Sequence, residues 1–342
     1  MKHITLLLSS FLFLFSACSP KPLEPQTLTI LTHDSFSVSE VVVKSFEEAN
    51  HAKIVFLQSG DAGAMLNKAI FTKDAPLADL LFGVDNTFLS RALEADIFEP
   101  YESPALQEIP KEFQLDASNR ALPVDYGDVC INYDKKYFAD NNLPVPQSLG
   151  DLIKPEYKNL LVVENPATSS TGLAFMLATV AHYGDSFTDY WRALKDNGVV
   201  VVDGWETAYF TNFSASSGRG SQPLVVSYAS SPSAEVSPSG ESLTASILGI
   251  DTCFRQIEFV AILKGTQHRA LAEKFIDFML GKQFQEDMPL QMFVYPVNPN
   301  AALPDAFTQY AQTPPQPATL SPDEIATNRD EWIRAWTDVV LK

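Results

Sequence analysis

The sequence predicts an α/β protein of two lobes, each a parallel sheet with helices on its faces. Two observations predict it. Short β-rich runs alternate with segments of helical period, first over residues 28–95 and again over 160–279. The roughly 325 residues left after a leader at 1–17 are also more than one hydrophobic core ordinarily organises. Hydrophobic residues make up 46% of the chain, enough for a globular body, and no second apolar run reaches the length of a membrane span.

The leader comes first. Lys2 gives a positive start, and residues 4–15 are apolar apart from Thr5, Ser9 and Ser10. Phe15-Ser16-Ala17-Cys18 ends the run with small residues before a cysteine. The run is too short to cross ~30 Å of hydrocarbon, so it reads as a secretory signal with a lipobox-like end. On this reading residues 1–17 are removed and the Cys18 thiol carries lipid. The plainer alternative is an ordinary leader with an incidental cysteine. Residues 18–27 hold three prolines and read as a tether.

In the first half, residues 28–32 and 54–57 read as strands, 41–49 and 62–71 as helices, 77–82 as a third strand and 86–95 as a third helix. Val42, Phe46 and Ala49 fall on one face of the first helix. The loops after the strands are His33-Asp34-Ser35-Phe36, Gln58-Ser59-Gly60-Asp61 and Gly83-Val84-Asp85-Asn86. Parallel sheets bind ligands at the carboxyl ends of their strands. One acid there is usually a helix cap. An acid in each of three successive loops points to a site.

The second half repeats the theme. A strand over 160–163 leads through Asn165-Pro166-Ala167-Thr168-Ser169-Ser170-Thr171-Gly172 into an apolar helix over 173–182. Free N–H groups at that helix start suit a phosphate, sulfate or hydroxyl; plain capping by Ser169 explains the same residues. Strands over 199–202 and 224–228 are followed by Asp203-Gly204-Trp205-Glu206 and Ala229-Ser230-Ser231-Pro232. Residues 259–263 read as a buried strand and 270–279 as an amphipathic helix. Residues 216–221 read as a mobile Gly/Ser loop, and 314–317 as a proline-rich connection. Ser321-Pro322-Asp323-Glu324 is a capping box opening a last helix, whose Ile325, Trp332, Trp336 and Val340 are core candidates.

The formal charge is −18, from 42 acids against 24 bases. Such a surface repels nucleic acid and mildly favours a cationic ligand, although most of the charge reads as a solvated face. With Cys18 lipidated, Cys130 and Cys253 remain as a candidate disulfide for an oxidising compartment. There is no CxxC, HExxH, GxSxG or phosphate-loop motif, so no metal, cofactor or catalytic residue is assigned. The polar loops read as built for binding.

Several segments taken together are more specific. They are Leu31-Thr32-His33-Asp34-Ser35-Phe36, Leu80-Leu81-Phe82-Gly83-Val84-Asp85-Asn86 and Pro123-Val124-Asp125-Tyr126-Gly127, then Asn165-Pro166-Ala167-Thr168-Ser169. Asp203-Gly204-Trp205-Glu206-Thr207-Ala208-Tyr209, Val226-Ser227-Tyr228-Ala229-Ser230-Ser231-Pro232 and Val294-Tyr295-Pro296-Val297 follow. In this order, over residues 28–340, they resemble the thiamine-binding solute receptors of bacterial ABC importers, which are type II periplasmic-binding-protein clamps.

The resemblance implies two α/β lobes joined by two crossing hinge strands, with the ligand held between them. Residues 28–124 and 260–342 would form one lobe and 125–259 the other. It implies a monomeric extracytoplasmic receptor that hands thiamine, or a thiamine phosphate, to an ABC permease. The implied ligand residues are His33, Asp34, Asp61, Asp85, Asp125, Tyr126, Ser169, Trp205, Tyr228 and Phe293. A flat cation such as the thiazolium suits aromatic faces and carboxylates. Trp205, Tyr228 and Phe293 also read as core on composition alone. His33 stands where the family often has Tyr, Ala234 near a second Tyr, and Phe293 near a Trp. A pyrimidine fragment or another heterocycle therefore stays open as ligand, as does a polyamine. A thiaminase-like enzyme would need a nucleophile, with Cys130 the candidate. The implied crossing strands bring Cys130 and Cys253 together near the hinge.

Overall fold

The computed structural model describes residues 24–342 apart from Gly218. The leader, Cys18 and most of the tether lie outside the described residues. The first strands and helices follow the predicted order: β1 (Gln26–Thr32), α1 (Glu40–Asn50), β2 (Ala52–Gln58), α2 (Ala62–Phe71), β3 (Leu80–Asp85) and α3 (Leu89–Glu94). α1 buries Val42 and Phe46 on the face the sequence marks and leaves Ala49 exposed. β3 differs from expectation. It starts later and ends at Asp85, which is a strand residue rather than a loop residue. The reason is pairing on both sides, which buries all six residues including Gly83 and Asp85.

Next come β4 (Phe98–Glu99), β5 (Leu122–Asp134), α4 (Lys135–Asp140), β6 (Leu161–Glu164), α5 (Ser170–Tyr183), β7 (Val200–Val202), β8 (Leu224–Tyr228), β9 (Thr244–Ile247), β10 (Phe254–Leu263) and β11 (Tyr295–Pro296). The strands run in the order β2-β1-β3-β10-β5-β8-β6-β7. β2-β1-β3 and β8-β6-β7 are parallel triplets. Between them β10 and β5 are antiparallel to each other and to both neighbours. The result is one lobe on each triplet and two long strands crossing between them. No helix among the described residues is long and apolar enough to cross a membrane.

A disulfide joins Cys130 in β5 to Cys253, just before β10, with the Cα atoms 4.3 Å apart. Both cysteines are fully buried beside Ala229 and Leu248. The bond ties the two crossing strands together and removes the thiol that a Cys130 nucleophile would need.

The last helix (Pro322–Val340) forms its capping box in full: Glu324 N–H donates to Ser321 Oγ, and Ser321 N–H donates to the Glu324 carboxylate. Ile325, Trp336 and Val340 are buried and Trp332 is half-buried. Trp336 packs edge-on against Trp191, with ring centroids 5.4 Å apart, while the Arg329 guanidinium lies 5.7 Å from the Phe88 ring centre. The helix therefore touches both lobes.

Candidate functional site

A cavity of about 260 Å³ lies where the carboxyl ends of β1, β6 and β8 meet the crossing strand β10. Five of the residues proposed from the sequence line it: His33, Asp61, Trp205, Tyr228 and Phe293. Glu258, Glu206, Phe210, Ser170, Thr171 and Met292 line it too and were not singled out.

Trp205 and Phe293 form the aromatic wall. Trp205 stacks on Tyr209, at 4.9 Å between centroids and 19° between planes, and meets Phe293 edge-on at 6.1 Å. Its Nε1–H donates to Ser227 Oγ at 2.9 Å, which fixes the indole in plane. Phe293 ends the helix Lys282–Met292 in a left-handed conformation, φ 59°. A bulky residue is rarely held there. Its carbonyl accepts a hydrogen bond from Ser230 Oγ on the other lobe. The Tyr228 ring lies on Gly127, where an added Cβ would come within 2.6 Å of it. Gly83, at φ +102°, makes the same room for His33.

Asp61 works across the lobes. It caps α2, where Ala62 N–H donates to Oδ1 at 2.6 Å. Across the cleft Oδ1 accepts from Ser170 N–H at 3.3 Å and Oδ2 from Trp205 N–H at 3.0 Å. The start of α5 therefore already faces a carboxylate. Ser169 is its N-cap, fully buried, with Gly172 N–H donating to Oγ. Ser169 does not line the cavity, and Ser170 and Thr171 reach it in its place. Asp34 is half-buried and is not among the lining residues; burial, then the Asp61 charge, raises its carboxyl above the usual range.

Asp85 and Asp125 lie under the cavity. Glu258 on β10 stands opposite Asp85 of β3 on one side and Asp125 of β5 on the other. Directly opposed residues share a face. The three carboxyls therefore form a row across three adjacent strands. All three are buried. Thr87 Oγ1 donates to Asp85 at 2.7 Å, and Gln256 Nε2 donates to its other oxygen. Burial pushes Asp85 up to about 6 and Asp125 to about 7. Burial and the Asp125 charge hold Glu258 well above its ordinary value. Tyr126, next to Asp125 in the strand, faces the other way. It stacks between Phe113 and Tyr295 under the Arg255 guanidinium, outside the cavity.

This row has a consequence for stability. Between pH ~4 and ~7 the folded state holds protons on Asp85 and Asp125 that the unfolded chain has released. Ligand-free protein is therefore expected to lose stability as pH rises through this window, on the order of 4 kcal/mol between pH 5 and 8. Thermal unfolding of ligand-free protein checks it. A midpoint equal or higher at pH 8 contradicts the assignment of protons to the row.

Residues 75–315 match the family described as "Bacterial extracellular solute-binding protein". The chain belongs to that family. This makes it an extracytoplasmic binding component of transport rather than an enzyme. The receptor is 28% identical over 340 residues to the thiamine-binding periplasmic protein of Salmonella typhimurium, covering 98% of this chain and 100% of that one. It is 29% identical to the protein of the same name from Brucella suis, covering 96% and 97%. A solved periplasmic thiamin binding protein superposes with a TM-score of 0.82 at 27% identity, over 92% of this chain and 96% of the other. AfuA from Actinobacillus pleuropneumoniae, solved with fructose-6-phosphate, shares the fold at a TM-score of 0.78 and 21% identity.

Proposed function

We propose that this receptor captures thiamine between its lobes and delivers it to an ABC permease, held at the membrane by lipid on Cys18. The observation that carries the reading is one cavity with an indole and a phenyl wall, Trp205 and Phe293, facing a floor of carboxyls. A flat organic cation matches both surfaces, each cation–π contact contributing about 0.5–2 kcal/mol. The likeness to thiamine-binding proteins over nearly the whole chain supports the same ligand. We place the lobes at residues 28–124 with 260–342, and at 125–259, and take the working unit as a monomer.

His33, Asp34, Asp61, Trp205, Tyr228 and Phe293 are the proposed ligand contacts, with Asp85 and Asp125 acting from beneath. Ser170 and Thr171 at the start of α5 suit the hydroxyethyl end. Because Asp61 already accepts the Ser170 N–H there, an uncharged hydroxyl fits that end better than a phosphate.

Calorimetry with thiamine, its monophosphate and spermidine tests the reading. Thiamine is expected to bind at micromolar Kd or tighter, about −8 kcal/mol, and more tightly than its monophosphate. Tighter binding of spermidine would transfer the site to a polyamine, whose receptors also combine acids with aromatic rings.

A further inference from the structure

We infer that Glu258 is the counter-ion of the ligand's positive ring, and that a cation entering the cavity displaces a proton from the Asp85–Glu258–Asp125 row into solvent. This rests on the reading of the ligand as an organic cation.

Glu258 is buried, 4% exposed, yet it lines the cavity. It sits beside a register shift on each side: the β10–β5 pairing slips between Glu258 and Phe259, and the β10–β3 pairing between Phe259 and Val260. Bulges of this kind re-aim side chains beside binding sites. Its Oε2 has no hydrogen bond of full geometry, and neither oxygen of Asp125 has one. The nearest cation in sequence, Arg255, is on the opposite face, where Asp128 holds it with bonds of 2.8 and 2.9 Å. Asp85 already has its donors in Thr87 and Gln256. Asp125 and Glu258 interact with each other, and Glu258 is the member of the row that is open to the cavity.

The groups facing the row are His33, whose Nε2 is 3.6 Å from Glu258 Oε1, with Tyr228 and Asp61 beyond. Tyr228 and Asp61 bring no positive charge. Three carboxyls side by side in a buried site cannot all ionise without a cation, so they keep protons. Among the described residues no group of acids, His or Cys is arranged to hold a metal ion. The aromatic wall admits a flat ring instead. When the ring arrives, a protonated carboxyl becomes a carboxylate paired with it, and the proton passes to the buffer.

Calorimetric titration of the ligand-free protein with thiamine at pH 6.5, in buffers of different ionisation enthalpy, reads the proton directly. The expected result is release of about half to one proton, with affinity rising about three- to tenfold from pH 6 to pH 8. Glu258→Gln should lose the release and weaken binding at least tenfold, while His33→Gln should keep the release. Thiamine binding with a buffer-independent enthalpy overturns the inference and leaves the thiamine reading standing. A release kept in Glu258→Gln and lost in His33→Gln assigns the proton to the imidazole and also overturns it. No binding of thiamine at all sinks both. Should Glu258→Gln fail to fold, the proton count of the unaltered protein decides.

Discussion

Removing the Cys130–Cys253 bond is expected to destabilise the protein by about 4–5 kcal/mol. The bond closes a loop with a sequence separation of 123, and the chain-entropy model assigns about that much to a loop of this size. Both sulfurs are buried against Ala229 and Leu248, so paired Cys→Ala changes remove the bond without placing hydroxyls in an apolar pocket. Urea unfolding of the double variant against the oxidised protein measures the difference. The midpoint should fall, and the slope should rise as the unlinked denatured chain exposes more surface. A loss below ~1 kcal/mol would mean that pairing across β5 and β10 already restricts the unfolded chain. Alkylation of the denatured, unreduced soluble domain gives an independent reading: two added labels by intact mass would refute the bond.

Trp205→Ala is expected to weaken thiamine binding by about 1–3 kcal/mol, roughly five- to 150-fold, through lost contact area and lost cation–π attraction. The same change removes a ring stacked on Tyr209 and a hydrogen bond to Ser227, so folding stability should fall by about 3–5 kcal/mol as well. The two effects separate when affinity is measured well below the unfolding midpoint. Trp205→Phe keeps a ring against the ligand but not the Nε1–H, and should recover most of the affinity. Unchanged affinity in a folded Trp205→Ala protein would make the indole a core residue that only borders the cavity.

The sequence made the first strands and helices legible because apolar period and polar loops agree there. α2 was readable to the residue, since Asp61 caps it and apolar positions recur through Phe71. β5 was not read as one long strand, because Pro123, Asp125, Gly127 and Asp128 all weaken a strand signal. Its pleat mattered for the site. Neighbours in a strand point to opposite faces, so Asp125 and Tyr126 could not both reach one ligand. Glu258 escaped notice because it borders an apolar run and looks like a strand end. The signal was Gln256-Ile257-Glu258-Phe259, whose alternation extends the strand and puts both polar side chains on one face. Met292 depended on a helix that Pro289 hides from pattern reading, and Phe293 was legible only through the family resemblance. That Asp61 reaches Ser170 and Trp205 was not legible at all, since it depends on how two distant loops meet.

The crossing strands have one more consequence. A lobe that swings open must turn about β5 and β10, because these strands join the two parallel triplets. Trp205 follows β7, the outermost strand of one triplet, and travels with that lobe, whereas Phe293 lies two residues before β11, which pairs with β5. Asp125 and Glu258 sit on it. An open receptor therefore moves its indole wall away while the Asp125–Glu258 pair stays in place. The formal charge of −18 can draw in a cation from a distance before any wall touches it, and the draw weakens as salt screens it. Capture thus divides into an electrostatic step set by the net charge and a closing step set by the jaws, and ionic strength should slow the first while leaving the rate of release nearly unchanged.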